Sequence, residues 1–170
     1  CALWFDGENK RAIDTLLQVK GEKRLGRPIA LTLSLEEFIP MLDLEALPKN
    51  VSDFLLSPDL KMKIGSLCFV RAPIKKDFHS AVPDAAKSFD EQGVCMIQNW
   101  DSFGHNPVEN FLSLVKKMGV VHPAVTSMNI TGQSEIVDQK EAEKFCRDFG
   151  IPIFLKDPRA HPKHIGSYTI

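Results

Sequence analysis

The alternation of strand-like and helix-like segments constrains the fold more than any other feature of this sequence. Short apolar runs alternate with longer stretches whose apolar residues recur every three or four positions. Strands are predicted at 2–5, 29–33, 66–71, 94–98, 124–127, 151–155 and 166–170. This order predicts an α/β (or α+β) domain, with helices packed on a twisted open sheet. Because the last two strands follow each other without a helix, the sheet is expected to be mixed parallel and antiparallel.

Capping residues mark where the predicted helices begin. Asn9 precedes a periodic segment that runs to Lys20, and an asparagine there can accept hydrogen bonds from the free backbone amides of the first helical turn. Ser34 and Glu37 form a capping box, while Pro40 shortens or bends the helix that follows. Further helices are predicted at 51–56, 106–118 and 138–150, whereas residues 72–92 show no period.

The length of 170 residues and the ordinary globular composition predict a single domain over residues 1–170. Strand-like sequence at both ends suggests that this domain is clipped at both ends. The net charge of −1 gives no general attraction to nucleic acid or to a membrane. No apolar run approaches the roughly 18 residues of a membrane span. Any affinity for phosphate is therefore expected from a local cluster of cations.

The four cysteines show neither metal-ligand spacing nor a disulfide pattern. A reducing, cytoplasmic location is the simplest expectation. His161 and His164 are three residues apart, but Pro162 argues against the helix that would align them. No protein-held metal is therefore predicted.

A basic cluster follows the first predicted helix. It consists of Lys20, Lys23, Arg24 and Arg27. Within these eight residues only Glu22 opposes the positive charge. Such a cluster suits a triphosphate, because arginine contacts phosphate oxygens bidentately and lysine supplies a movable charge. The alternative is a solvated turn whose cations complement the dipole at the helix C-terminus.

A second polar segment, here called the Ser-x-Asn segment, spans residues 123–132 around a predicted strand end. It holds the hydroxyls of Thr126, Ser127 and Thr131 and the amide of Asn129. Ser127 and Asn129 face the same side if the strand persists, and ligands of open α/β sheets lie at strand ends. The alternative is a turn with local side-chain to backbone hydrogen bonds.

These segments resemble, in order, the YrdC/YciO family over nearly the whole chain. Residues 12–31 resemble its lysine/arginine loop, residues 65–70 its glycine-led central strand, and residues 166–170 its Ser-Thr-Ile strand. Residues 126–132 resemble its Thr-Ser-Ala-Asn-x-Ser-Gly sequence, which is the most specific match. Residues 72–110 match poorly.

The resemblance implies an L-threonylcarbamoyladenylate synthase, which joins threonine, bicarbonate and ATP and releases pyrophosphate to supply tRNA modification. It also implies binding of tRNA or double-stranded RNA. On this resemblance Mg²⁺ would bridge the ATP phosphates. No catalytic side chain is assigned. The resemblance implies that Lys20 and one of Lys23, Arg24 or Arg27 contact the ATP phosphates. It implies that Ser127 and Asn129 contact the nucleotide or the threonyl-carbamate. Weaker substrate contacts are implied for Thr32, Thr126 and Cys68.

The chain departs from the family pattern at four positions, which are Glu22, Thr32, Cys68 and Cys95. They stand where the family carries an arginine, a frequent histidine, a threonine and an arginine. A Pro-Thr-Asp/Glu-Thr segment that contacts threonine in the family is expected before Cys1. Two hypotheses therefore stay open: a threonylcarbamoyl-AMP synthase, or a divergent paralogue that binds RNA without catalysis.

Overall fold

The computed structural model describes residues 1–60, 68–100, 106–153 and 168–169. Within them a mixed sheet of seven strands is ordered β1-β6-β2-β5-β3-β7, with β4 paired to β5. The strands are β1 (Ala2–Asp6), β2 (Ala30–Leu31), β3 (Cys68–Pro73), β4 (Lys87–Phe89), β5 (Cys95–Trp100), β6 (Pro123–Ser127) and β7 (Tyr168–Thr169). The helices are α1 (Lys10–Lys20), α2 (Leu35–Phe38), α3 (Lys49–Leu55), α4 (Asn106–Lys117) and α5 (Gln139–Asp148).

The sheet combines both strand orientations, as the sequence predicts. The pairs β2–β5 and β3–β7 are parallel. The pairs β1–β6, β2–β6, β3–β5 and β4–β5 are antiparallel. Strands β1, β2 and β5 therefore run in one direction, and β6 runs against them between β1 and β2.

The two faces of the sheet differ in burial. One face, called the core face here, carries Leu3, Leu31, Ile97 and Ala124, all of which are buried. The other, called the open face, carries side chains that are mostly half-buried or exposed. Its members include Trp4, Arg71, Ser88, Met96, Gln98, Trp100 and Ser127, which the strand registers place on one side.

Helix α4 covers part of the open face. Phe111 packs edge-on against Trp4 at 5.7 Å between ring centroids, and Trp4 packs edge-on against Trp100 at 5.6 Å. This aromatic group fixes α4 over the β1 side of the sheet. The polar side chains of the open face around β5, which are those of Arg71, Ser88 and Gln98, are not part of this aromatic group.

The capped helices begin where the sequence predicts. The Asn9 side chain accepts from the Ala12 amide, and Ser34 forms a reciprocal capping box with Glu37. The chain continues past α2 as a 3-10 turn at Ile39–Met41, so the prediction of a short helix at Pro40 is confirmed. Asp138 caps α5 by accepting from two backbone amides.

Several strand predictions are wrong in their bounds. β2 covers only Ala30–Leu31, although the Thr32 amide still donates to the Pro123 carbonyl; the Leu33 amide donates to the Asn99 side chain instead of to a strand backbone. Residues 151–153 are not in a strand. β5 alternates buried and half-buried side chains. The other residues of the strand predicted at 151–155, and residues 66–67, 161, 164, 166–167 and 170, lie outside the described residues.

Residues 72–92, which show no sequence period, form the end of β3, β4 and two 3-10 turns at Lys76–Ala81 and Asp84–Ala86. β4 has no local signal in its sequence. It exists because its backbone pairs with the first half of β5.

Candidate functional site

The end of α1 brings Lys20 into the Ser-x-Asn segment. The Lys20 side chain is buried, with 2% of the residue exposed. Its ammonium donates to the Asn129 side-chain oxygen at 2.6 Å and to the Ser127 backbone carbonyl at 2.5 Å. The Ser127 hydroxyl lies 3.4 Å away. Two distant parts of the sequence therefore meet around one cation.

The Ser-x-Asn segment closes on Lys20 as a hydrogen-bonded turn. The Ser127 hydroxyl donates to Asn129 Oδ1 at 2.7 Å, and Asn129 Nδ2 donates to the Gln133 carbonyl at 2.7 Å. The Thr131 amide donates to the Lys20 carbonyl at 3.0 Å. Because Oδ1 faces two donors and Nδ2 faces a carbonyl, the orientation of the Asn129 amide is fixed by its partners.

Lys23 lies across the same turn. A Cβ built on Gly132 would lie 3.6 Å from both Cδ and Nζ of Lys23. Gly132 has a φ of +91°, in the left-handed region that favours glycine. The Lys23 side chain therefore lies within van der Waals range of the glycine that ends the Ser-x-Asn segment.

Arg24 is half-buried, and part of its hydrogen-bonding capacity is unused. Its Nη2 donates to the Pro28 carbonyl at 2.8 Å, while its Nε is buried without a hydrogen-bond partner in the described structure. Burial and the nearby Arg27 lower the pKa of Arg24. A buried guanidinium N–H without an acceptor is costly, and the guanidinium donors that are not buried remain available to an oxyanion.

The basic cluster has no salt-bridge partner in the described part of the chain. Burial, followed by the charge of Arg24, lowers the pKa of Lys20 to about 8, and Glu135 opposes this effect. Across the described residues, no carboxylate forms a salt bridge with Lys20, Lys23, Arg24 or Arg27. Like charges held together in a partly desolvated loop favour a bound anion.

The weaker substrate candidates lie elsewhere or are occupied. Thr32 is buried and donates through its hydroxyl to the Pro123 carbonyl at 2.7 Å. Pro123 and Ser127 are opposite ends of β6, so Thr32 is roughly 13 Å from the Ser127 end. Thr126 projects from the core face, opposite to Ser127. The side chain of Cys68 lies outside the described residues.

The structure explains the departure from the family pattern at Cys95 and locates the one at Glu22. Cys95 is buried on the core face with 2% of its surface exposed, and burial raises the pKa of its thiol. An arginine there would point into the core. Glu22 begins the 3-10 turn Glu22–Arg24 on the protein surface.

Sequence reasoning missed Asn99 and Gln133. Asn99 is 2% exposed and bonds both backbone groups of Leu33, accepting at 2.8 Å and donating at 2.9 Å. A polar residue within an apolar strand was the available signal. Gln133 contributes only its backbone carbonyl, so no side-chain pattern could reveal it.

Comparisons with known proteins identify a fold. No protein-family model matches the chain, and no curated protein sequence matches it. A solved structure of P. abyssi Sua5 carrying two alanine substitutions is similar, with a TM-score of 0.54 at 13% sequence identity. The match covers 84% of this chain and 36% of the Sua5 chain. The likeness confirms the expected YrdC-like mixed α/β fold. Within the described residues, no helix is both long and apolar enough to cross a bilayer.

Proposed function

We propose that this YrdC-like domain binds a nucleoside triphosphate between the basic cluster and the Ser-x-Asn segment. The carrying observation is the half-buried Arg24 guanidinium, which makes one hydrogen bond, to the Pro28 carbonyl, and has no carboxylate partner among the described residues. Lys23, Arg24 and Arg27 would contact phosphate oxygens. Lys20 adds positive charge from its buried position, and its hydrogen bonds hold Ser127 and Asn129 in place.

The reaction proposed for this site is threonylcarbamoyl-AMP formation from ATP, threonine and bicarbonate. A carboxylate oxygen of the threonine carbamate forms a bond to the α-phosphorus of ATP, and the bond from that phosphorus to pyrophosphate breaks. This step requires positioning and charge neutralisation rather than a protein nucleophile. In the proposal, Mg²⁺ enters with ATP and bridges its phosphates.

The second candidate is a non-catalytic module that binds tRNA or double-stranded RNA through the same cations. Two observations favour this second candidate: Cys95 is buried, and the Thr32 hydroxyl donates to the Pro123 carbonyl. Neither side chain is therefore available to a threonine substrate. Phosphate contacts by lysine and arginine supply most of the affinity of such modules.

Pyrophosphate release separates the two candidates. The enzyme releases pyrophosphate from ATP only when threonine and bicarbonate are both present. The RNA-binding module releases none and binds a tRNA transcript with an affinity that falls steeply with salt. Absence of both activities, together with no stabilisation by ATP, would contradict the proposed site.

A further inference from the structure

Arg71 reaches across β5 on the open face. Arg71 in β3 pairs with Gln98, whereas Ser88 in β4 pairs with Met96. Because Met96 pairs with both β3 and β4, these strands flank opposite edges of β5. The Arg71 guanidinium donates to the Ser88 hydroxyl at 3.1 Å, so its side chain passes over β5.

Within the described part of the chain, the donors of Arg71 are not taken up by carboxylates. Arg71 is exposed, and no carboxylate forms a salt bridge with it within the described ranges. Among the described strands, the acidic side chain on the open face is that of Asp6, at the far end of β1. One guanidinium nitrogen is used by Ser88, which leaves further donors for an oxyanion.

The tip of Arg71 points toward the edge of β5 that pairs with β2, the strand that follows the basic cluster in the chain. Lys87 pairs with Ile97 and Ala30 pairs with Gln98, so β4 and β2 meet along the same edge of β5. Ser88 is therefore about 7 Å along the strand direction from the level of Ala30. The Ile29 amide donates to the Ala85 carbonyl at 2.8 Å. This hydrogen bond connects the residues that follow the basic cluster to the segment before β4.

We propose that Arg71 forms a second oxyanion position on the open face, distinct from the basic cluster. This inference rests on the proposed nucleotide site, since the ligand extends from that cluster across β5. The group bound by Arg71 is either the phosphate nearest the nucleoside or the carboxylate of an acidic co-substrate. Arginine matches both because its paired N–H groups meet two oxygens at once. Ser88 holds the guanidinium in position.

Binding of three probes to an Arg71→Gln variant tests this position. Inorganic pyrophosphate has no counterpart of the phosphate nearest the nucleoside, so it reports on the basic cluster alone. ATP adds that phosphate and the nucleoside, and L-threonine titrated at saturating ATP reports on a carboxylate. Arg71→Gln should leave the affinity for pyrophosphate within twofold. It should weaken binding of ATP or of threonine about tenfold, and the affected probe identifies the bound group. Ser88→Ala, which retains the cation, should give a smaller loss on the same probe.

Arg11→Gln is the matched control, because Arg11 is an exposed arginine on α1 away from this face. Arg24→Gln tests the basic cluster separately and should weaken pyrophosphate binding. If Arg24→Gln has that effect but Arg71→Gln changes the affinity for none of the probes, the second position is wrong while the proposed function survives. An equal loss of pyrophosphate binding in Arg71→Gln would instead make Arg71 part of the basic cluster and overturn a distinct position. If Arg24→Gln has no effect, both proposals fail.

Discussion

The ammonium of Lys20 lies 2.6 Å from the side-chain oxygen of Asn129, although 109 positions separate the two residues in the sequence. This contact joins the end of α1 to the turn after β6. It makes Lys20 part of the scaffold of the candidate site, and it leaves Lys23, Arg24 and Arg27 as the cations for the proposed ligand. Substitutions that remove or alter this contact therefore test the candidate site directly.

Replacing Asn129 should separate structural from electrostatic roles. Asn129→Leu removes an acceptor from the buried Lys20 ammonium and a donor from the Gln133 carbonyl, so we expect a loss of about 2–4 kcal/mol in the free energy of unfolding. Asn129→Asp keeps an acceptor for Lys20 and should cost less, yet its negative charge should weaken tripolyphosphate binding. Urea unfolding and a binding titration measure both.

The surface variant Asn110→Leu serves as the control for Asn129→Leu, because Asn110 is exposed on α4. It should change stability by no more than about 0.5 kcal/mol. Equal stabilities for Asn129→Leu and wild type would mean that the buried contact contributes nothing.

Gly132→Ala should weaken anion binding beyond its effect on stability. The φ of +91° makes alanine strained, at a cost of about 1–2 kcal/mol, and a shift of the turn that relieves this strain would move the surface that Lys23 contacts. Gly119→Ala is a matched control, since Gly119 has a φ of +95° with no atom within 4 Å of an added Cβ. Both variants should lose similar stability by thermal unfolding. A similar loss of tripolyphosphate affinity in both would exclude a role for Lys23 at Gly132.

The lowered pKa of Lys20 predicts a contribution to stability that grows at alkaline pH. Below about pH 8 the folded protein carries the full cost of a buried, charged Lys20 beside Arg24. Between about 8 and the ordinary value of 10.5 the unfolded chain binds more protons than the folded protein, so this contribution increases, by roughly 3 kcal/mol in total. Urea unfolding from pH 7 to 10.5 measures it.

A comparison with Asn129→Asp isolates the Lys20 contribution in that experiment. The buried thiols of Cys95 and Cys146 have raised pKa values and destabilise the fold above about pH 9, because the unfolded thiols ionise first. They affect both proteins equally. In Asn129→Asp the carboxylate raises the pKa of Lys20, so the alkaline increase should shrink. Parallel pH profiles for the two proteins would show that Lys20 does not titrate as predicted.

The helices were predictable from sequence because their signals are local. Asn9 caps α1 through the amide of a residue three positions away, and Asp138 caps α5 in the same way. The strand β4 was not predictable, since Lys87–Phe89 is held by pairing with β5 rather than by its own sequence. The end of β2 depends likewise on the distant Asn99 side chain.

The residues of the candidate site were predictable from sequence, but their individual structural roles were not. Sequence reasoning selects Lys20 and Asn129 as residues with suitable chemistry. Burial of Lys20 and its contact with Asn129 depend on how β1 and β6 pair, which no local spacing reveals. Thr32 was chosen for its hydroxyl, yet that hydroxyl is occupied by the Pro123 carbonyl. Arg71 belongs to no motif, and only the strand register shows where it points.

Arg24→Met should separate stability from binding, with effects of opposite sign. The substitution removes a half-buried cation that is repelled by Arg27 and has an unpartnered Nε, at the expense of one hydrogen bond to the Pro28 carbonyl. Without ligand, the free energy of unfolding should therefore be unchanged or up to about 1 kcal/mol higher. With tripolyphosphate at 100 times its dissociation constant, wild type should gain about 2.7 kcal/mol, and Arg24→Met much less. If Arg24→Met lowered ligand-free stability and kept the full ligand-induced gain, Arg24 would be a structural residue and the anion would bind elsewhere.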